Sequence, residues 1–261
     1  MNKYVVYTAL FGDYDDLIEP KNIDYKCDFI CFTNQENITS DKWKIIYVKD
    51  VNDTVLKNRE YKFLPHLFLS QYDASVYVDS NIKIIQDPVT LIEKYIEISP
   101  VSVPKHFSRN CIYKEVEQCV LEKKITEENG RDMLNLLSAH SFPKEYGLGE
   151  NNIIIRKHNH KDVIRLMNYW WEYFNQGAKR DQLTLFFLSW KHGVPIQLMD
   201  ETSRNKNNYF RYHLHKNEKK LPLMKRSYLF MKANRQRVYF YDCLCKLYLF
   251  LKNKIHQNAN Y

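Results

Sequence analysis

Asp79-Ser80-Asn81 is the stretch of this chain best placed to do chemistry. An apolar run, Ala74 to Val78, leads straight into it, and a second, Ile82 to Ile85, follows at once. Strand-forming residues dominate both flanks, so the three polar residues fall at a strand end. A carboxylate there is expensive to bury and calls for a partner. Oxygen-bearing side chains at i and i+2 can converge on one hard cation, Mn2+ or Mg2+, and Asp79 and Asn81 are the candidates. Such a cation could hold a diphosphate. The same three residues are also ordinary turn chemistry, because short polar side chains cap turns through local hydrogen bonds.

Groups suited to such a site lie on both sides of it. Before it come Lys57, Arg59, Lys62 and His66. Arg59, Lys62 and His66 fall at i, i+3 and i+7 and share a face of a helix predicted over 54–70. Pro65 imposes a special local shape on that helix. The basic stripe could grip a diphosphate, with Arg59 in bidentate contact; the alternative is a solvated charged face. After it, Lys105-His106-Phe107-Ser108-Arg109 follows another strand end and could touch a ligand, or be structural. Gly147-Leu148-Gly149-Glu150 spends two of only six glycines beside a carboxylate, which suggests tight backbone around a polar pocket or a simple loop. Lys179-Arg180-Asp181-Gln182 opens a helix, where Asp181 would be stabilising in any protein. Tyr212-His213-Leu214-His215 offers an i, i+2 histidine pair. One of them could reach a metal, with His213 the candidate, or both could be exposed loop residues.

These residues need a frame. Strands are predicted at 4–8, 29–33, 43–48, 74–78, 101–103, 152–156 and 194–198. Helices are predicted at 54–70, 88–96, 113–124, 126–139, 160–174 and 180–190. In the helix at 126–139, Thr126 looks a poor cap, although the acids after it suit a helix start. Strands alternating with helices imply an α/β domain with a mixed, mainly parallel sheet flanked by helices. Ligands of such sheets sit at the carboxyl ends of the strands. Thr8, Ala9, Thr33 and Asn34 lie at two such ends, Asp79-Ser80-Asn81 at a third.

Composition narrows the function further. There is no Gly-rich dinucleotide or phosphate loop. The net charge of +8 is concentrated: residues 216–254 hold 11 Lys and Arg against two acids, and the rest of the chain carries 28 basic against 29 acidic residues. A polybasic tail points to an anionic surface, membrane or nucleic acid. Its Tyr228, Phe230, Tyr239, Phe240, Leu247 and Phe250, interleaved with basic residues, suit a helix lying in a membrane interface or one packed on the body. The six cysteines show neither a C-x-x-C pair nor zinc spacing. With no signal-like N-terminus and no long apolar run, the expectation is a reduced, cytoplasmic protein, peripheral on a membrane through its tail.

Taken in order, Tyr7-Thr8-Ala9-Leu10-Phe11-Gly12-Asp13-Tyr14-Asp15, Cys31-Phe32-Thr33-Asn34, Lys57-Asn58-Arg59-x-x-Lys62, Tyr77-Val78-Asp79-Ser80-Asn81 and Arg180-Asp181-Gln182 resemble the glycosyltransferase-like family catalogued as DUF616 (TOD1/MUCI70-like). Plant mucilage-related glycosyltransferases and bacterial capsule or lipopolysaccharide gene products carry that domain. The resemblance spans roughly residues 3 to 215. It implies a GT-A-like (Rossmann-like) domain over 1–215; the charge and aromatic content read above make 216–261 a basic, aromatic-rich helical tail beyond it. It also implies a nucleotide-sugar donor, UDP-linked above others, a divalent metal (Mn2+ or Mg2+) and a glycan or lipid-linked acceptor in surface polysaccharide synthesis. Asp79-x-Asn81 is similar to the Asp-x-Asp of GT-A enzymes, with an amide in place of the second carboxylate. Asp181-Gln182 is similar to the Asp-Gln segment of retaining enzymes. On that resemblance Thr8, Ala9, Thr33, Asn34, Ser80, Arg59 and Lys62 hold the nucleotide diphosphate, and Asp79, Asn81 and His213 hold the metal. Asp181, Gln182 and Glu150 face the transfer, with a slight lean to retention. Asp181 or Glu150 serves as base if the reaction inverts. The reading from another class is a basic nucleic-acid- or membrane-binding protein without catalysis. The neutral body and the lack of a nucleic-acid module argue against nucleic acid.

Overall fold

A computed structural model of the chain describes residues 3–177 and 179–258. Seven strands form the main sheet: β1 (Tyr4–Leu10), β2 (Asp28–Thr33), β3 (Lys44–Tyr47), β4 (Ala74–Val78), β6 (Val101–Pro104), β7 (Ile153–Arg156) and β8 (Ile196–Met199). Their order across the sheet is β3-β2-β1-β4-β7-β6-β8. β5 (Ile82–Ile84) and β9 (Phe210–Tyr212) form a separate antiparallel pair. β1 and β4 are buried at every position, as strands covered on both faces must be.

Helices cover both faces. On one lie α1 (Thr54–Phe63) and α5 (Lys161–Gln176), and on the other α2 (Val89–Ile98). In α5, Val163, Leu166, Met167, Trp170 and Phe174 recur at helical spacing and are all buried. That stripe holds the helix to the sheet, at roughly 1.5–3 kcal/mol for each large apolar side chain. Phe63 stacks on Trp170 with ring centroids 3.7 Å apart, which locks the end of α1 against α5. α3 (Ile112–Leu121) and α4 (Glu127–Ala139) pack as a pair beside α6 (Leu185–His192).

The sheet is mainly parallel, as the alternating pattern predicts, with one reversal. β7 runs antiparallel to both of its neighbours, β4 and β6. Val78 pairs with Ile153, so the start of β7 lies at the carboxyl end of β4. The loop at 147–152 therefore meets Asp79, and the Asp79 N–H donates to the Asn152 carbonyl at 2.8 Å.

Three local expectations need correction. The helix predicted over 54–70 ends at Phe63, and a 3-10 turn, Pro65–Leu67, follows. Pro65 has no N–H to donate and disfavours helical backbone at Leu64, so His66 leaves the face shared by Arg59 and Lys62. Thr126 does cap α4, its hydroxyl accepting from the Asn129 N–H at 3.1 Å. The helix predicted over 180–190 splits into a 3-10 turn, Asp181–Leu183, and α6, which Gly193 closes in the left-handed conformation.

Beyond the body lie α7 (Lys216–Lys219), α8 (Leu223–Asn234) and α9 (Tyr239–Asn258). Residues 259–261 of the expected tail are outside the described residues. Among the described residues no helix is long and apolar enough to cross a membrane.

Candidate active site

The polar centre sits where the carboxyl ends of β1 and β4 adjoin. Tyr7 pairs with Tyr77, so the loop leaving β1 passes beside Asp79-Ser80-Asn81. Asp79 has the partners a strand-end carboxylate needs: one oxygen receives the Tyr77 hydroxyl at 2.9 Å and the Lys62 ammonium at 3.3 Å. Lys62 is 1% exposed and also donates to Asp181 at 2.8 Å. One buried ammonium thus bridges two carboxylates from distant parts of the chain. Arg59 stands one helical turn earlier, 4.0 Å from Asp181.

The backbone of Asp181 is held just as firmly. Its carbonyl accepts from the Trp170 indole N–H at 3.0 Å and the Asn151 amide at 3.1 Å. Lys62 is anchored through its own carbonyl, which accepts from buried Arg156. Burial alone would raise the Asp181 pKa. The positive charges of Lys62, Arg59 and Arg180 outweigh it and hold the carboxyl well below the usual carboxylate range. Arg180 also donates to Gln182 at 2.7 Å, fixing that amide next to Asp181 in sequence.

Glu150 is equally buried but meets a different balance. Arg204 lies 2.9 Å from one of its oxygens, and the Asn152 amide donates to the other at 3.1 Å. Burial still wins and pushes the Glu150 pKa up, with Arg204 only partly offsetting it. The Arg204 guanidinium is sandwiched by Phe107 and Tyr212, at 4.7 and 4.5 Å from their ring centroids. Gly149 makes this fit possible: a Cβ there would lie 2.4 Å from Val103.

The second sheet builds the remaining wall. Pairing of Ile82 with Tyr212 returns the chain to Asn81. The Asn81 amide donates to the His213 carbonyl at 3.0 Å and lies 3.2 Å from Nε2 of His215. The imidazole that reaches Asn81 is therefore His215, while His213 meets it through its backbone. Asp15 orients that ring: its carboxylate lies 2.8 Å from His215 Nδ1 and also receives the Ser80 hydroxyl at 2.9 Å and the Lys216 N–H at 3.0 Å. Burial works against a charged His215. The hydrogen bond and charge of Asp15, with Glu218 and Asp79 behind it, hold its pKa above the ordinary value.

Of the strand-end residues, Asn34 borders a hollow of about 420 Å³ together with Gly12, Asp13, Gln35, Glu36, Asn37 and Ile38. Thr8, Ala9 and Thr33 are buried beside it rather than lining it. Asn34 accepts from the Gly12 N–H at 2.8 Å, Thr33 accepts from the Gln35 N–H at 3.0 Å, and the Ala9 carbonyl receives the Asn58 amide at 2.5 Å. Among the described residues the buried Thr8 hydroxyl has no hydrogen-bond partner. His106 and Arg109 instead converge on buried Glu115, at 3.7 and 2.5 Å. Burial and the neighbouring cations hold His106 at about 3, a neutral structural histidine.

Sequence reasoning gave Asp15, Tyr77 and Arg204 no role, and of the histidine pair it chose His213 over His215. Asp15 lies in the Gly12-Asp13-Tyr14-Asp15 segment at a strand end, and His215 is the other half of the histidine pair, so both carried a signal. Arg204 carried none.

A divalent cation was expected on Asp79 and Asn81. The second oxygen of Asp79 accepts no hydrogen bond among the described residues, and the Asp79 side chain is 30% exposed. Asn81 lies two residues on from Asp79, and its side chain is 3.2 Å from the His215 ring. Carboxylate, amide and imidazole are ligand types that such cations accept. They fit one cation in kind, although no group of three His, Cys, Asp or Glu side chains stands ready-made among the described residues.

The molecule is thus a mixed α/β sheet with buried charge gathered at its strand ends. Residues 1–215 match the family model described as TOD1/MUCI70, glycosyltransferase-like domain, and the chain belongs to that family. No curated protein matches the chain. Among solved structures it is similar to the apo WbbM bifunctional glycosyltransferase, at 13% identity and a TM-score of 0.44, over 90% of this chain and 44% of that one. It is also similar to apo mouse xyloside xylosyltransferase 1, at 7% identity and a TM-score of 0.43, over 78% of this chain and 86% of that one. The chain spans less than half the length of the WbbM structure.

Proposed function

We propose that the protein transfers a hexose from a nucleotide diphosphate sugar, UDP-linked, to a glycan or lipid-linked acceptor in surface polysaccharide synthesis, with retention at the anomeric carbon. The observation that carries this reading is the Lys62 bridge between Asp79 and Asp181. It places a strand-end carboxylate, an Asp-Gln segment and a partly exposed guanidinium, Arg59, around one spot.

Each group then has a role set by its surroundings. Arg59 faces the donor diphosphate and offsets the charge that grows as the leaving group departs; preorganised charge of this kind contributes on the order of 3 kcal/mol. Lys62 is buried and fully engaged, so it holds Asp79 and Asp181 in place. Asp181, kept far below neutral pKa, is a poor proton acceptor, because a general base works best with a pKa near the operating pH. Asp181 therefore orients sugar hydroxyls, with the Gln182 amide near the anomeric carbon. In retention the bond from the anomeric carbon to the diphosphate breaks, the acceptor oxygen bonds on the same face, and its proton passes to the departing phosphate oxygen. Asp79, Asn81 and His215 would hold a Mn2+ or Mg2+ ion, which when bound screens the charge of the diphosphate.

The test is hydrolysis and transfer of a panel of UDP- and GDP-sugars with Mn2+, compared between the native protein and Asp79→Ala. A fall of about 10²-fold or more is expected. Undiminished turnover removes Asp79 from the reaction. A panel that raises no unfolding midpoint in the native protein argues against donor binding altogether.

A further inference from the structure

The two terminal helices form a hairpin whose outer side is covered by nothing among the described residues. Tyr228 of α8 lies 4.4 Å from Tyr248 of α9, and Phe230 lies 6.1 Å from Tyr241, between ring centroids. Those contacts, with buried Cys245, mark the inner side of α9. Tyr239, Phe240, Cys243 and Leu247 stand at i, i+1, i+4 and i+8, within one quadrant of the helix turned away from that side. All four are exposed, Tyr239 at 81% and Phe240 at 63%. A helix packed only for its own stability would not arrange its large apolar residues this way.

Charge says what the stripe meets. Residues 223–258 hold eight Lys and Arg against a single acid, Asp242, and Asp242 is paired with Lys246. In α8, Lys225 and Arg226 are exposed. Aromatic and aliphatic side chains on one face of a helix in a strongly basic hairpin, with too little apolar length to span a bilayer, describe an interfacial element. Anionic headgroups supply the matching charge, at about 1 kcal/mol for each Lys or Arg near the surface.

The hairpin is also fixed in direction. Arg237 donates to the Ser203 carbonyl at 2.9 Å and the Asn205 carbonyl at 3.1 Å, and Gln236 donates to the Phe107 carbonyl at 3.0 Å. Ser203, Asn205 and Phe107 belong to the segments that hold Arg204 against Glu150. The turn of the hairpin is therefore clamped to the rim of the polar centre.

We propose that the α8–α9 hairpin docks the protein on an anionic lipid bilayer through the Tyr239-Phe240-Leu247 stripe, with the rim of the site held near the membrane surface. This inference rests on the hairpin and not on the chemistry proposed above. The test is co-sedimentation of the full chain with phosphatidylcholine vesicles containing about 30% phosphatidylglycerol, and with pure phosphatidylcholine vesicles. Binding to the anionic vesicles is expected, weakened by salt and by Lys225→Glu/Arg226→Glu. The triple variant Tyr239→Ser/Phe240→Ser/Leu247→Ser is expected to lower the partition coefficient at least about tenfold. Because the three side chains are exposed, its unfolding midpoint should match that of the native protein. Equal binding by the triple variant, equal binding to neutral vesicles, or binding to an RNA oligonucleotide in place of vesicles would each overturn the proposal. So would a dimer that the triple variant dissolves, with no vesicle binding.

Discussion

Two buried carboxylates at the same sheet end behave in opposite ways. Asp181 is held far below the usual carboxylate range, while Glu150 is pushed above it. Both are nearly inaccessible and both touch a cation. The difference is the number of charges that act strongly: Asp181 faces Lys62, Arg59 and Arg180, whereas among the described residues Arg204 is the cation that acts most on Glu150. Desolvation is paid once per carboxylate, but each nearby cation adds its own attraction in the same low-dielectric space. A single partner satisfies a buried charge without overcoming the loss of water; three partners fix it as an anion.

The most severe way to break this contrast is Lys62→Met. It leaves two carboxylates facing each other without their shared ammonium. A loss of about 3–5 kcal/mol is expected at pH 7, or on the order of 10 °C in unfolding midpoint. Thermal unfolding followed by circular dichroism checks it. A drop no larger than that of Glu150→Gln would show that the bridge is not what sets the two carboxylates apart.

Next in size is Gly149→Ala. A Cβ there meets Val103 at 2.4 Å and Phe186 at 3.0 Å, so the loop carrying Glu150 must move. Chemical denaturation should show a loss of about 1–3 kcal/mol. The same variant should leave the depressed pKa of Asp181 in place, since the cations around it are untouched.

The contrast is sharpest in pH dependence. Asp181 has a depressed folded pKa, so its contribution is complete above about pH 4, near the unfolded pKa, and is lost as pH falls further. The deficit of Asp181→Asn against the native protein should therefore grow as pH rises from about 2 to 4. Glu150 has a raised folded pKa, so its ionisation works against folding once pH exceeds about 4. The deficit of Glu150→Gln should shrink as pH rises above about 4. Denaturation midpoints across this range test both, and slopes of the same sign would refute the account. At the small end, Lys57→Ala removes an i, i+3 pair with Glu60 on the accessible side of α1, and should change stability by less than about 0.5 kcal/mol.

Much of this centre was legible in the chain. Asp79 was marked by its place after an apolar run, and Arg59 and Lys62 by their spacing. The Asp181-Gln182 segment was marked by the resemblance to a family that the chain proves to belong to. The two glycines before Glu150 signalled the tight packing that Val103 and Phe186 enforce. Helix limits were less legible, because Pro65 ends α1 sooner than its apolar pattern does, and Thr126 caps a helix that its neighbours made look uncapped. His215 was hidden behind His213, since an i, i+2 pair does not say which ring the tertiary structure will use.

Local pattern determined what local physics controls: which runs become strands, where polar residues interrupt them, and where the basic excess lies. It could not determine which way β7 runs. That reversal brings Glu150 and Asn152 to the end of the sheet that holds Asp79, and it follows from pairing between residues 75 to 81 positions apart with β4 and 53 to 55 positions apart with β6. Nor could it determine that Lys62 would meet Asp181, 119 positions away, through a helix packed by Phe63 on Trp170. Contacts of that range are set by how whole elements bury their apolar faces, and so only the assembled molecule decides which charges become neighbours.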